Sequence, residues 1–129
     1  IYEGANGIHE RMLATRLLGG PAGAAFERFI ENAVLAGDGT LLDHWRHARD
    51  LMQEDGDATV RAHHFATLTS HLVLSHLWTR MQARADAHPD PDRIRRLASA
   101  ALNEARILGE AAYGFILSAS ARASARAAV

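Results

Sequence analysis

Residues 90–112 read DPDRIRRLASAALNEARILGEAA, and this stretch decides the expected fold. It opens with Asp90 and Pro91, a capping residue followed by a proline in the first helical position, which is the order in which many helices begin. Apolar residues then recur close to a heptad line, and several are small enough to let a neighbouring helix approach. They are Ile94, Leu97, Ala98, Ala101, Leu102, Ala105, Leu108 and Ala112. The stretch therefore predicts a long amphipathic helix packed against other helices.

Clusters of Gly, Pro and Asp divide the rest of the chain into further helix-forming stretches. The clusters lie at residues 19–21, 37–39, 54–57 and 88–91. The helices are expected at about 7–18, at 22–36, from 40 onward, at 58–87 and from 91 onward. The short connections between the last four predict an all-α fold, an antiparallel four-helix bundle preceded by one short helix. The tail 118–129 lacks large apolar residues, so we expect a frayed end.

The composition of the 129-residue chain agrees with helices and argues against electrostatic partners. Ala fills 26 positions and aromatic residues only 6%, which suits helices better than sheets. Fourteen basic and fifteen acidic residues give a net charge of −1, too small a field to attract nucleic acid or an anionic membrane. No apolar run reaches the roughly 20 residues of a membrane span, and the absence of cysteine suits a cytoplasmic chain.

Eight histidines raise the question of a metal site, and their spacing argues against one. No Asp or Glu is followed by a His three residues later, as di-metal bundles require, and no two His flank a Glu as in zinc proteases. The candidate pairs are His44/His47, His63/His64 and His71/His76. We therefore expect packing or solvated histidines and no metal site, and His44 with His47 is the pair that comes closest to a ligand pair.

Two other groups of side chains have a structural and a functional interpretation. Trp45 and Trp78 lie on helical stripes, where core packing is the expected role. Arg93, Arg95 and Arg96 lie in the first turns of the last helix, where the helix dipole disfavours cations. This cluster serves either a contact or a solvated surface.

The segment Ile1-Tyr2-Glu3-Gly4-Ala5-Asn6-Gly7-Ile8 resembles the catalytic segment of acyl-CoA dehydrogenases. In that family a Tyr-Glu-Gly-Thr-Asn-type turn opens the last helix of the C-terminal helical domain, and the similarity continues to about residue 18. The resemblance implies that Glu3 is the catalytic base, that Gly4 lies against the substrate, and that Ala5, Asn6 and Gly7 contact FAD. Ala5 departs from the usual Thr, and Gly7 and His9 stand where Gln often occurs.

The role implied for Glu3 has a clear physical requirement. A proton α to a thioester is weakly acidic, so its removal needs a base whose pKa is raised toward the working pH by apolar surroundings. In the family the backbone N–H of the glutamate and a flavin ribityl hydroxyl stabilise the enolate oxygen. Gly4, without a side chain, lets the backbone lie close to the bound thioester.

The resemblance extends to the organisation of the chain. Residues 1–20 would hold the catalytic-glutamate turn and the last helix of the dehydrogenase domain, and residues 21–129 a helical extension similar to that of a larger bacterial branch. The start without Met is expected to be a cut inside a longer chain, with residues 1–6 loose. The whole enzyme would oxidise acyl-CoA to trans-2-enoyl-CoA, pass electrons to an electron-transfer flavoprotein and form a homo-oligomer, whereas this part alone would be inactive and would not retain FAD. The alternative is a non-catalytic helical-bundle module for interaction or oligomerisation.

Overall fold

A computed structural model describes residues 9–13, 20–34, 39–54 and 59–128. Within these ranges the chain is helical with short turns and contains no strand, so the expected all-α helical bundle is confirmed. The helices are α1 at residues 9–13, α2 at Pro21–Val34, α3 at Thr40–Glu54, α4 at Thr59–Ala83 and α5 at Pro91–Ala127. None of these helices is both long enough and apolar enough to cross a membrane.

Side-chain contacts give the direction of each helix. Glu27 near the middle of α2 meets Arg49 of α3, whereas the later Glu31 meets the earlier Arg46, so α2 and α3 are antiparallel. The pairs Arg61–Ser120 and His64–Phe115 show the same relation between α4 and α5. Trp45 of α3 meets Phe65 and Thr69 in the first half of α4. The two helices in each of the pairs α2–α3 and α4–α5 therefore run in opposite directions.

The core is built around Trp45, which is fully buried. Its indole Nε1–H donates to Thr69 Oγ1 at 2.9 Å, and that hydroxyl donates in turn to the carbonyl of Phe65 at 2.8 Å. The rings of Phe26 and Phe65 lie with their centroids 5.2 and 5.9 Å from the Trp45 ring. The polar atom of the largest core side chain is thus satisfied inside an aromatic cluster. Trp45 is a core residue as expected, whereas Trp78 is only half-buried.

The start of α5 confirms the sequence interpretation. Asp90 is the N-cap, its side chain accepts the N–H of Arg93 at 3.0 Å, and Pro91 follows in the first turn. The seam of α5 against its neighbours consists largely of small residues. Its buried members are Ala98, Ala105, Gly109, Ala112 and Ile116.

The end of α4 lies earlier than the predicted residue 87. The helix stops at Ala83, and a 3₁₀ turn, Ala85–Ala87, follows. His88 is extended, with φ −93° and ψ 147°, because it precedes Pro89 and a proline disfavours the helical conformation of the residue before it. The 3₁₀ turn therefore lies between the end of the α-helix and the extended residue His88.

The expectation of a frayed tail is wrong for most of its length, because α5 continues to Ala127. Ala is the strongest helix former, so an Ala-rich tail can extend a helix that already has a long packed segment. Ser120 adds a local tether: its hydroxyl donates to the carbonyl of Ile116 at 3.0 Å and accepts from Arg61 Nη1 at 2.6 Å. From residue 121 to 128 every side chain is exposed.

The hairpin of α4 and α5 extends beyond the other two bundle helices. Between residues 77 and 104 only Ala85 and Ala98 are buried. We call this part, residues 77–104, the hairpin tip. It has a two-helix core of small side chains, whereas the remainder of the hairpin is covered by α2 and α3.

Candidate functional site

The residues to which the sequence assigns chemistry lie outside the described ranges. They are Glu3, Gly4, Ala5, Asn6 and Gly7. Their roles stay predictions, and the expected looseness of residues 1–6 falls in the same segment. The division of the chain at residue 20 is not tested either, because residues 14–19 are also outside these ranges.

The described helix next to that segment, α1, is held on the bundle by one polar and one apolar contact. His63 Nδ1–H of α4 donates to Glu10 Oε1 at 2.9 Å. Leu13, at the other end of α1, is partly buried against the core cluster. The helix that follows Glu3 in sequence is therefore attached to the bundle through α4.

Two histidines of α3 surround Tyr113 of α5. The ring of His44 stacks on the tyrosine ring at 4.1 Å between centroids, and His47 Nδ1 is hydrogen-bonded to the Tyr113 hydroxyl at 2.6 Å. The stacked ring of His44 lies parallel to the tyrosine plane, whereas His47 meets that ring edge-on. These contacts identify the pair as packing residues between α3 and α5.

The histidines of α4 lie mainly against apolar neighbours. His64 stacks on Phe115, and His76 contacts the ring of Phe29 at 4.4 Å. His76 is 6% exposed, and neither of its ring nitrogens has a hydrogen-bond partner among the described residues. Burial lowers the pKa of His76, and the nearby Arg80 lowers it further. Burial lowers the pKa of His64 as well, with His63 adding to the effect. Both rings are therefore favoured in the neutral form.

A search of the described residues for three neighbouring His, Asp or Glu side chains that could hold a metal ion finds none. His44, His64 and His76 each contact an aromatic ring of a different residue on a neighbouring helix.

The ionic centre of the bundle is Glu27 of α2. Its carboxylate accepts from Arg46 Nε at 2.8 Å and from Arg49 Nη1 at 2.6 Å. The hydrogen bond from Arg46 lowers the pKa of Glu27, and Arg49 acts in the same direction. Arg49 also lies over the Trp45 ring, 5.4 Å from its centroid. These arginines fix α2 on α3, and both of their guanidinium groups are paired with carboxylates.

A concave feature of the described residues lies at the hairpin tip. It is an open cleft of about 440 Å³ between the end of α4, the 3₁₀ turn and the start of α5. We call it the tip cleft. Its lining consists of Leu77, Arg80, Met81, Arg84, Ala85, His88 and Ile94. Sequence reasoning did not find it, although the alternation of apolar and Arg residues at positions 77, 80, 81 and 84 was a readable signal.

The arginine cluster at the start of α5 separates into paired and unpaired members. Arg95 binds Asp92 at 3.0 Å and also pairs with Asp86 of the 3₁₀ turn. Arg93 and Arg96 are exposed. Arg95 therefore acts within the fold by joining the turn to α5.

Comparison with known proteins gives no family or relative for this chain. No protein-family model, no curated protein and no solved structure matches it.

Proposed function

We propose that this chain is the C-terminal part of an FAD-dependent acyl-CoA dehydrogenase. The observation that carries the proposal is the segment Tyr2-Glu3-Gly4-Ala5-Asn6-Gly7-Ile8 directly before a helix. Residues 9–12 of that helix are α-helical, and α1 packs on the bundle through Leu13 and Glu10. A helix attached in this way is a suitable support for a catalytic turn, because sites need a rigid base.

In this proposal the chain supplies a base and its position. Glu3 removes the α-proton of the acyl thioester, and the absent side chain of Gly4 leaves room for the substrate beside the backbone. Ala5, Asn6 and Gly7 would hold FAD. When bound, FAD would supply the oxidising chemistry, with the β-hydrogen leaving the substrate as hydride. The electrons then leave to an electron-transfer flavoprotein, and the enzyme works in the cytoplasm as a homo-oligomer.

A glutamine substitution tests the role of Glu3 in the whole enzyme. Glu3→Gln keeps the shape of the side chain and removes the base, so turnover of acyl-CoA should be lost while the flavin absorbance of the protein is retained. Glu104→Gln is the matched control, because it makes the same change at an exposed glutamate of α5. Retained turnover in the Glu3 variant would remove that residue from the role of base.

Two simpler observations test the family assignment itself. The reading frame upstream of Ile1 should encode several hundred residues similar to the dehydrogenases. The 129-residue chain purified alone should be colourless and inactive, because it lacks most of the flavin and acyl-CoA pockets. A start codon immediately before residue 1 contradicts the assignment, and a yellow preparation of this chain contradicts the expected loss of FAD.

The alternative is a helical module whose function is oligomerisation or another protein contact. The observation that favours it is a set of exposed apolar side chains on α5. Leu97, Leu108 and Phe115 are 45%, 41% and 59% exposed. Their separations of 11 and 7 residues place them on one side of the helix. Sedimentation equilibrium of the chain and of Phe115→Ser distinguishes a dimer through this side from a monomer.

A further inference from the structure

The tip cleft shares no residue with the segment that carries the proposed dehydrogenase chemistry, and its lining combines apolar and cationic groups. We propose that the tip cleft is a binding site for a small organic anion with a single aliphatic tail, a medium-chain carboxylate. The tail lies on the apolar lining, and the head group lies between Arg80 and Arg84.

The apolar half of the site is open to solvent. Leu77 and Met81 are each 44% exposed, although both line a concave surface. Ala85, which also lines the cleft, is only 2% exposed. Covering such surface with an aliphatic chain removes apolar area from water, which is the main favourable term in binding an apolar ligand. The volume of about 440 Å³ lies within the range of small-molecule sites.

The cationic half consists of Arg80 and Arg84. Arg80 lies in the last turn of α4 and Arg84 directly follows that helix, so two like charges that repel each other line one cleft. Neither guanidinium has an ion pair or hydrogen bond to any residue in the described ranges. A carboxylate between them removes this repulsion and gains charge-assisted hydrogen bonds.

The three acidic residues between positions 86 and 92 already have partners. Asp86 and Asp92 bind Arg95, and Asp90 caps α5. The lining itself contains no acidic side chain. The cleft therefore presents cations without counter-charges, which selects an anionic ligand over a neutral or cationic one.

His88 supplies a further donor. Its Nδ1 accepts the backbone N–H of Asp90 at 3.0 Å, so the ring proton of the neutral form is on Nε2. That Nε2–H is left to donate to an anionic head group. A protein partner is a poorer fit, because a stable interface covers about 800 Å² on each side and the cleft is a single concave site.

Calorimetric titration of the 129-residue chain with sodium decanoate, below its micelle concentration, tests the proposal. We expect saturable binding at one site, and at least about tenfold weaker binding of decyltrimethylammonium, which has the same tail and the opposite charge. The half-buried Trp78, next to Leu77, should change its fluorescence with the same saturation curve.

Charge reversal gives the sharper arm of the test. The double variant Arg80→Glu/Arg84→Glu should lose at least about tenfold in decanoate affinity and should gain affinity for decyltrimethylammonium. The matched control is Arg93→Glu/Arg96→Glu, which reverses two exposed arginines at the same end of the hairpin that do not line the cleft. Far-UV circular dichroism of each variant confirms that the helices are retained.

Several results would overturn the proposal. They are the absence of saturable decanoate binding, equal losses in the two double variants, equal affinity for both detergents, and a concentration-dependent dimer that the Arg80→Glu/Arg84→Glu variant abolishes. The last result would assign the cleft to a second copy of the chain. None of these outcomes bears on Glu3, because the two sites have no residue in common.

Discussion

The two ends of the α4–α5 hairpin are built from the same residue types and use them differently. Where α2 and α3 cover the hairpin, Trp45 is fully buried, and Arg46 and Arg49 are paired with Glu27. At the hairpin tip, Trp78 is half-buried, and Arg80 has no hydrogen bond or ion pair with any of the described residues. The comparison teaches that burial and pairing, more than residue type, separate the side chains that hold this fold from those available to bind.

The largest expected difference between the two regions is the loss of stability when their tryptophans are replaced by alanine. Trp45→Ala should lower the free energy of unfolding by about 3–5 kcal/mol, because it leaves a large cavity and removes the hydrogen bond to the Thr69 hydroxyl. Trp78→Ala should cost only about 1–2 kcal/mol, because its ring already contacts solvent. Urea unfolding followed by circular dichroism measures both values. Equal costs would show that the tip is as tightly packed as the four-helix region.

Two glycines of α5, both outside the hairpin tip, are expected to respond to alanine substitution with opposite changes in stability. A Cβ on Gly109 would lie 2.7 Å from Leu41 Cδ2, whereas a Cβ on Gly114 would meet no atom within 4 Å. Gly109→Ala should therefore destabilise by about 1 kcal/mol, since overpacking outweighs the better helix propensity of Ala. Gly114→Ala should stabilise by about 0.5–1 kcal/mol. Thermal unfolding checks the signs, and stabilisation by both variants would mean that Leu41 moves aside freely.

The buried His76 should make the boundary between the two regions sensitive to acid. The pKa of His76 is lowered from 6.5 in the folded state. Below about pH 6.5 the unfolded state therefore binds more protons than the folded state, and the free energy of unfolding falls as the pH falls. His76→Leu should flatten this dependence and raise stability at pH 5 by about 1 kcal/mol, because an apolar side chain replaces two unpaired nitrogens. His9→Gln, which replaces an exposed histidine, is the control. An unchanged profile in the His76 variant contradicts the prediction.

The smallest difference is expected between a paired and an unpaired arginine. Arg49→Gln should cost about 0.5–1 kcal/mol through loss of the Glu27 bond and of the contact with the Trp45 ring. Arg80→Gln should change stability by less than about 0.5 kcal/mol, because it breaks no described contact. Chemical denaturation at low and high salt measures both. A clear loss of stability in the Arg80 variant would assign that side chain a structural role.

Sequence patterns predicted the helices better than their ends. The Asp90-Pro91 pair located the start of α5, because a cap and a first-turn proline act locally. The end of α4 was placed too late although the constraint from Pro89 is local, whereas the helical tail was missed because it depends on the tether between Ser120 and Arg61. Such long-range contacts are not visible in a local pattern.

The candidate sites also depend on contacts between distant parts of the chain, which a local sequence pattern does not show. The tip cleft arises where two helices and a turn meet, so a scan along one helix finds its arginines but not the concave surface. The contact of His44 and His47 with Tyr113 joins positions more than 60 residues apart. The assignment of Glu3 rests on a short segment of sequence that lies outside the described residues.

The uninterrupted course of α5 has a mechanical consequence. Its 37 residues form a rod of about 55 Å that is part of both regions. Inserting one residue between Ala98 and Ala105 would rotate Ile94 by about 100° relative to the bundle seam and carry it away from the cleft lining. Seven residues would restore the rotation to within about 20° and displace the tip by about 10 Å. The number of residues in α5 thus sets how far the cleft lining is rotated about the helix axis relative to the buried seam of the bundle.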